Sequence, residues 1–425
     1  MKNITYAILC LLGLAGMQSC SLHDDTEDFD TPAANRIENT VENAKNILES
    51  APNGWELHYV TGENNSGGGY TFLLKFADGK VEVAGDAAVA TPAERAKSSY
   101  DINRSMGPVL TFNTYNSILH KLGSPNMGQI EGEQGDWEFV ITDLTDNTIS
   151  LRGKKWGNSM VMTRLPESTD WTARLDSIAT VSKAICTNYL INGSDKKEDA
   201  IDMDADSRRV SYISDGKVTD IPFFITTTGI QAIKPIAMDK VTFSELELKD
   251  GSLKIKDNDQ VSIDPYIAPI EAWEGTWALN AMAGSCDITL TKYEGDDESE
   301  NVLEGTFTLN GEEYAVYFDY DPETGNLHLD NQVINDPTGK YYGLWLMNAD
   351  LEKGALVGEG GMNLVWYGVT QEPKFVDDGV AAKYGYNTDT FIALAVNSQG
   401  QPVREDNSYV FVIEWYFLSN LSRGN

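Results

Sequence analysis

The stretch Tyr70-Thr71-Phe72-Leu73-Leu74-Lys75-Phe76-Ala77-Asp78-Gly79-Lys80-Val81-Glu82-Val83 decides the fold. Aromatic and branched residues run up to Asp78-Gly79 and away from it, and Asp-Gly between two such runs signals a tight antiparallel hairpin. Towards the N-terminus, Trp55, Leu57 and Tyr59 alternate with Glu56 and His58, the period of a strand with one buried face. Further back the period lengthens: Ile37, Val41, Ala44, Ile47 and Leu48 recur every three or four residues, which is one face of a helix. Thr31 suits its N-cap, Pro32 its first turn, and Ala51-Pro52-Asn53-Gly54 its stop. Towards the C-terminus, Val109 to Tyr115, Trp137 to Leu144, Thr148 to Gly153 and Ser159 to Leu165 continue the strand pattern. The expected unit is a helix followed by an antiparallel meander.

After Pro166 the order starts again. Trp171, Leu175, Ile178, Val181 and Ile185 mark a second helix with Gly193 as its stop. Asp78-Gly79-Lys80-Val81 is matched by Asp215-Gly216-Lys217-Val218, Thr111 to Tyr115 by Ile225 to Gly229, and Leu144 to Leu151 by Leu248 to Ile255. A duplicated unit explains these matches; two unrelated β-rich segments remain the alternative. From about Ala268 the chain shows no helical pattern. Thr276 to Met282, Asp287 to Tyr293, Leu303 to Leu309, Tyr314 to Tyr320, Tyr341 to Met347, Asn363 to Tyr367, Phe391 to Val396 and Tyr409 to Leu418 all alternate, which suggests an antiparallel β barrel or sandwich. Gly275-Thr276-Trp277 is similar to the opening of lipocalin-like barrels. The fold class is thus α+β, mainly β: two helix-plus-antiparallel-meander units at 31–166 and 167–265, then a C-terminal antiparallel β domain at 266–425.

The segment before these units reads as an address. Met1-Lys2-Asn3 precedes an apolar run from Ile4 to Met17, which as a helix would reach about 21 Å, short of a hydrocarbon core of roughly 30 Å. A leader over 1–19 fits better than a spanning helix. Met17-Gln18-Ser19-Cys20 resembles a bacterial lipobox, which implies cleavage before Cys20 and acylation of its sulfur; an ordinary signal peptide is the alternative. Residues 20–30 carry Asp24, Asp25, Glu27, Asp28 and Asp30, an acidic tether that resembles the export tag of outward-facing Bacteroidetes-type lipoproteins. The expected localisation is therefore the outer membrane, lipid-anchored through Cys20 and facing outside. The 425 residues hold 32 Lys and Arg against 65 Asp and Glu, a formal charge of -33 that repels phosphate backbones and argues against nucleic-acid partners. With 41% apolar residues the chain builds real cores and is not a disordered tail.

Chemistry is scarce. His23, His58, His120 and His328 are too scattered for a helical metal pair, and no serine-hydrolase elbow or phosphate loop occurs. No enzyme activity and no cofactor are expected. Asp202, Asp204 and Asp206 alternate as calcium ligands can, but without the glycine of a tight calcium loop a solvated acidic loop is the better reading. His120 reads as a hydrogen-bonded structural residue before a pocket residue. Cys186 and Cys286 permit one disulfide, but nothing in their spacing demands it, and two separate buried thiols are the better reading. Rings stack on sugar faces and cap peptide side chains, so Tyr341, Tyr342, Trp345, Trp366 and Tyr367 are the candidate ligand contacts, against the plainer reading of strand rings as core.

Ala51-Pro52-Asn53-Gly54-Trp55, Gly68-Gly69-Tyr70, Gly107 to Asn116 with Leu119-His120, and Gly135-Asp136-Trp137-Glu138-Phe139 together resemble a family of Bacteroidetes-type surface lipoproteins known as a domain of unknown function. The resemblance extends to about Asp257. Such proteins are encoded beside starch-utilisation-type import systems and a zinc-metallohydrolase-like lipoprotein. The resemblance implies a nutrient-binding accessory, with a glycan or peptide ligand and an outer-membrane transporter as partner; it assigns no catalytic residue. A structural or adhesive surface protein is the alternative, and a glycosidase with unrecognised carboxylates the third reading.

Overall fold

The computed structural model describes residues 33–423 apart from 88–90, 105–106, 126–130, 195, 239–240, 257, 283 and 296–300. Cys20, the acidic tether and the Thr31-Pro32 start lie outside the described residues. What is described is mainly β, with two α-helices and antiparallel sheets that include three closed eight-stranded barrels.

The first barrel follows helix α1 (Ala33–Glu49) and consists of Trp55–Val60, Gly69–Ala77, Lys80–Gly85, Ala96–Asn103, Val109–Phe112, Glu138–Leu144, Thr148–Gly153 and Ser159–Arg164. Each strand pairs with the next, and the last returns to the first through Trp55 opposite Arg164. The alternation read from the sequence sets the faces: Trp55, Leu57 and Tyr59 point inward, while Glu56 and His58 point out. Inside, Tyr59 meets Phe72 and Phe139 edge-on at 5.3 and 6.0 Å, so the lumen is filled by packed rings. The Tyr59 hydroxyl donates to the Asp136 carbonyl at 2.7 Å, which satisfies the one polar atom among these rings.

The second barrel follows helix α2 (Trp171–Ala184) with the same neighbour-to-neighbour order: Asn188–Ile191, Ala200–Asp204, Arg209–Ser214, Lys217–Ile225, Gly229–Met238, Val241–Lys249, Ser252–Ile255 and Asn258–Pro265. Asp170 caps α2 by accepting from the Thr172 and Ala173 amides at 2.8 and 3.1 Å. The helix ends earlier than expected. Ile185 is its C-cap and Gly193 sits in the turn after the first strand, because the Val181-to-Ile185 apolar spacing continues into a strand rather than another helical turn.

The repeat is one of topology and not of the matched turns. Asp78-Gly79 joins the second and third strands of the first barrel, whereas Asp215-Gly216 joins the third and fourth of the second. Both pairs have positive φ, near 50° and 70°, which the hairpin turn requires wherever it falls. Only Leu144 to Leu151 and Leu248 to Ile255 occupy the same joint, between the sixth and seventh strands.

The C-terminal region is a barrel carrying an inserted sheet. Its barrel strands are Gly275–Ala281, Gly284–Lys292, Val302–Leu309, Glu312–Tyr320, Leu327–Asp330, Gly361–Val365, Lys374–Asp377 and Asn420–Arg423. Gln332–Ile334, Gly343–Asp350, Ala355–Val357, Thr390–Val396 and Phe411–Trp415 form a separate five-stranded sheet. The expected eight strands are thus shared between two sheets. Leu327–Asp330, Lys374–Asp377 and Asn420–Arg423, which complete the barrel, are too short to leave a periodic signal.

The first and third barrels are closed by one device. In each, an indole N–H on the first strand donates to a carbonyl just before it, Trp55 to Leu48 at 2.9 Å and Trp277 to Trp273 at 2.7 Å. In each, an arginine from the last strand lies over that ring, Arg164 at 4.8 Å and Arg423 at 4.3 Å. At the matching place in the second barrel, Tyr189 faces Pro265 and its hydroxyl accepts from the Cys186 amide.

Candidate functional site

The first barrel is filled by its own side chains, so its lumen offers no ligand site. The first and second barrels approach closely because Gly68 and Gly69 carry no side chain: a Cβ there would lie 2.4 Å from the Ser207 carbonyl oxygen and 2.5 Å from that of Phe223. Leu73 and Ala84 on the outer wall of the first barrel join the apolar cluster of α2 and the second barrel. Arg209 of the second barrel donates to the Ser66 and Gly67 carbonyls at 2.7 and 2.5 Å and is itself fixed by Asp220 at 2.7 Å. Arg208 meets Asp86 at 3.4 Å with both side chains enclosed; burial pushes the Asp86 carboxyl up, and the guanidinium pulls the other way.

Beside this seam a cleft of about 480 Å³ opens between the two barrels. Asn64, Asn65, His58, Trp156, Phe224 and Gln231 are among its walls. Asn64 and Asn65 sit in one short turn with φ of 55° and 60°, a left-handed backbone that asparagine tolerates better than most residues. That turn is pinned from below by buried Asn158, which donates to the Val60 and Gly62 carbonyls and accepts from the Asn65 amide at 3.1 Å. Asn158 is therefore used up structurally. Among the described residues no hydrogen-bond partner holds the side-chain amides of Asn64, Asn65 or Gln231.

His58 lies flat on Phe224, with ring centroids 4.6 Å apart and planes within 22°. Its Nε2 faces Glu56 at 3.3 Å, and Arg174 of α2 donates to the same carboxylate at 2.9 Å. Burial opposes ionisation of Glu56, but the hydrogen bonds from His58 and Arg174 outweigh it and hold the carboxyl below its usual range. Trp156 is set by Asp136, whose two oxygens accept from the Lys155 and Trp156 amides at 2.8 and 3.1 Å. The Lys155 ammonium covers the Trp156 ring at 4.4 Å. The cleft thus has a stacked ring pair, an indole on an anchored backbone and unspent amide groups.

The five rings singled out in the sequence lie elsewhere. Tyr341 is half-buried against the third barrel's core cluster, and its hydroxyl donates to Glu405 at 3.2 Å. Tyr342 is 75% exposed. Trp345 stands between Val333 and Leu394 on the inserted sheet. Trp366 packs edge-on against Trp273 and Trp277 at 5.4 and 6.0 Å, and Tyr367 is buried. Among the described residues no ring contact joins the first three to the last two. His120 is held structurally: its Nδ1 accepts from the Asn116 amide at 3.1 Å and its ring stacks on Trp137. Cys186 and Cys286 are free thiols. Sequence reasoning missed the cleft, because Asn64, Asn65 and Gln231 read as ordinary surface polars; only Gly68-Gly69 marked the close approach beside it.

Asp202 corrects the solvated-loop expectation. Asp204 does serve a local turn, accepting from the Asp206 and Ser207 amides, and Asp206 is exposed. Asp202 instead is buried at the seam with the third barrel, where it accepts from the Gly368 and Val369 amides at 2.8 and 3.0 Å. Asn188 completes that seam, accepting from the Gly368 amide at 2.6 Å and donating to the Trp366 carbonyl. Among the described residues no cluster of His, Cys, Asp and Glu is arranged to hold a metal ion, and no helix is long and apolar enough to cross a membrane.

Residues 25–250 match the family described as Domain of unknown function (DUF4302), and the chain belongs to that family. The matched segment includes every cleft residue named above. No curated protein matches the chain. Among solved structures, a tryptophan-to-alanine mutant of the vaccine antigen Transferrin Binding Protein B from Haemophilus parasuis Hp5 aligns over 86% of this chain and 74% of its own at 12% identity and a TM-score of 0.14, which carries no argument.

Proposed function

We propose that this protein is a non-catalytic, lipid-anchored component of the outer membrane, facing outside the cell, that binds a nutrient, glycan or peptide, for an import system. The observation that carries the binding half is the inter-barrel cleft, with unspent amides and fixed rings on a rigid frame. The anchoring half rests on the leader and Cys20, and the import partner on the family resemblance to Bacteroidetes-type surface lipoproteins encoded beside starch-utilisation-type systems. Two or more acyl chains give durable attachment at roughly 0.8 kcal/mol per buried methylene. In this reading the acidic tether holds the barrels away from the membrane.

The test has two arms on the full chain. Labelled palmitate should mark the wild-type protein and not Cys20→Ala, and detergent-extracted protein should co-purify with an outer-membrane transporter. Equal labelling of both proteins removes the anchor. Co-purification only with host matrix or adhesion partners replaces the import role with the adhesive one.

A further inference from the structure

We infer that the inter-barrel cleft is a site for an uncharged saccharide; this rests on the binding reading above and narrows it to one chemical class. The protein carries a formal charge of -33, and 23% of its residues are charged, yet no Asp, Glu, Lys or Arg is among the residues lining the cleft. The Lys155 ammonium over the Trp156 ring is already paired with Glu131 at 2.8 Å, so a uronate, a phosphate or the carboxylate of an amino acid finds no unpaired countercharge there, and the overall field repels it. A basic ligand finds no carboxylate there either, because Glu56, the nearest acid to His58, is already engaged by Arg174.

What the walls supply is matched to hydroxyl groups. Each free amide of Asn64, Asn65 and Gln231 presents a donor and an acceptor side by side, which is the pattern that neighbouring sugar hydroxyls complement. The asparagines are held by a backbone turn pinned through Asn158, so little freedom is lost on binding. Trp156, whose backbone amide is held by Asp136, adds the ring face that Lys155 leaves uncovered for the C–H face of a pyranose. A peptide is the poorer fit. Extended peptides are commonly gripped by adding a strand to an open sheet edge, and both barrels that form the cleft are closed.

Calorimetry of the full chain against neutral xylo-, cello-, manno- and maltohexaose, an oligogalacturonate and a pool of short peptides decides the matter. Saturable binding of a neutral hexaose that weakens about tenfold in both Trp156→Ala and Gln231→Glu is the expected result. Circular dichroism and melting of each variant separate lost contacts from lost fold, and Gln231→Glu keeps shape while removing a donor. Binding of the oligogalacturonate or peptides alone, weakened by the same substitutions, overturns the uncharged-saccharide assignment and leaves a binding protein. Neutral-hexaose binding that neither substitution changes overturns the cleft as its site. Failure of the whole panel to bind overturns this inference together with the reading beneath it.

Discussion

The second barrel is held on two sides by unlike means. Towards the first barrel the contact is steric and broad: two glycines let backbones touch, Leu73 and Ala84 join a shared apolar cluster, and a buried aspartate meets an arginine. Towards the third barrel it is narrow and polar, with Asn188 and Asp202 engaging the backbone from Trp366 to Val369. Each seam holds a buried carboxylate. Asp86 has a guanidinium beside it, whereas Asp202 has only amide N–H dipoles and the more distant Lys374 charge. The first arrangement fixes a geometry on which a cleft can depend; the second depends on the state of one proton.

The comparison is broken most severely at Arg208. Arg208→Met leaves the Asp86 carboxylate buried without its countercharge, and urea unfolding at neutral pH should show a loss of about 4 kcal/mol. Asp86→Leu combined with Arg208→Met should recover most of it; a double variant as unstable as the single one would mean that the pair does more than neutralise itself. Next in size is Gly69→Ala, whose methyl would meet the Phe223 carbonyl oxygen at 2.5 Å. A loss of about 3 kcal/mol is expected, together with weaker ligand binding as the barrels part, measured by denaturation and titration of the same sample.

The polar seam is sharpened by pH. Burial raises the Asp202 carboxyl to about 7, against the pull of the Val369 and Gly368 amides and the Lys374 ammonium; an unfolded aspartate ionises near pH ~3.9. Between those values the folded seam keeps a proton that the unfolded chain has released. Its stabilising contribution is complete below about pH 4 and is withdrawn as pH rises through about 7. Relative to Asp202→Asn, wild type should lose roughly 3 kcal/mol of unfolding free energy between pH 4.5 and 8. A wild-type gain over that range would show that the amides hold an ionised carboxylate. The smallest effect belongs to Tyr342→Ser. A ring 75% exposed on the inserted sheet should change stability by less than about 0.5 kcal/mol and leave ligand affinity untouched; lost affinity there would move the site to the third region.

Local chemistry was legible in the sequence and long-range closure was not. The Asp78-Gly79 and Asp215-Gly216 hairpins, the inward set Trp55, Leu57 and Tyr59, and the apolar stripe of α2 are short-range patterns, and they appear where the spacing places them. The strand Ala96–Asn103 escaped because its inward face is Ala96, Ser98, Tyr100 and Ile102, half of it small or polar. Without it the meander has too few strands to suggest a cylinder. Pairing of Trp55 with Arg164 leaves no mark on residues between them. The cleft was hidden for a related reason: its amides look like any surface, and only the meeting of two barrels makes them a wall.

The tryptophan–arginine closures place a demand on synthesis. Each joins the opening strand of a barrel to its final one, so neither cylinder can seal while the ribosome still holds its closing segment. A chain stalled or clipped ahead of Asn420–Arg423 would carry Gly275–Ala281 and Lys374–Asp377 as open margins, bare of the strand that shields both. Such margins recruit other chains. Quality control would therefore meet a sticky, unsealed barrel and not a shortened but tidy protein.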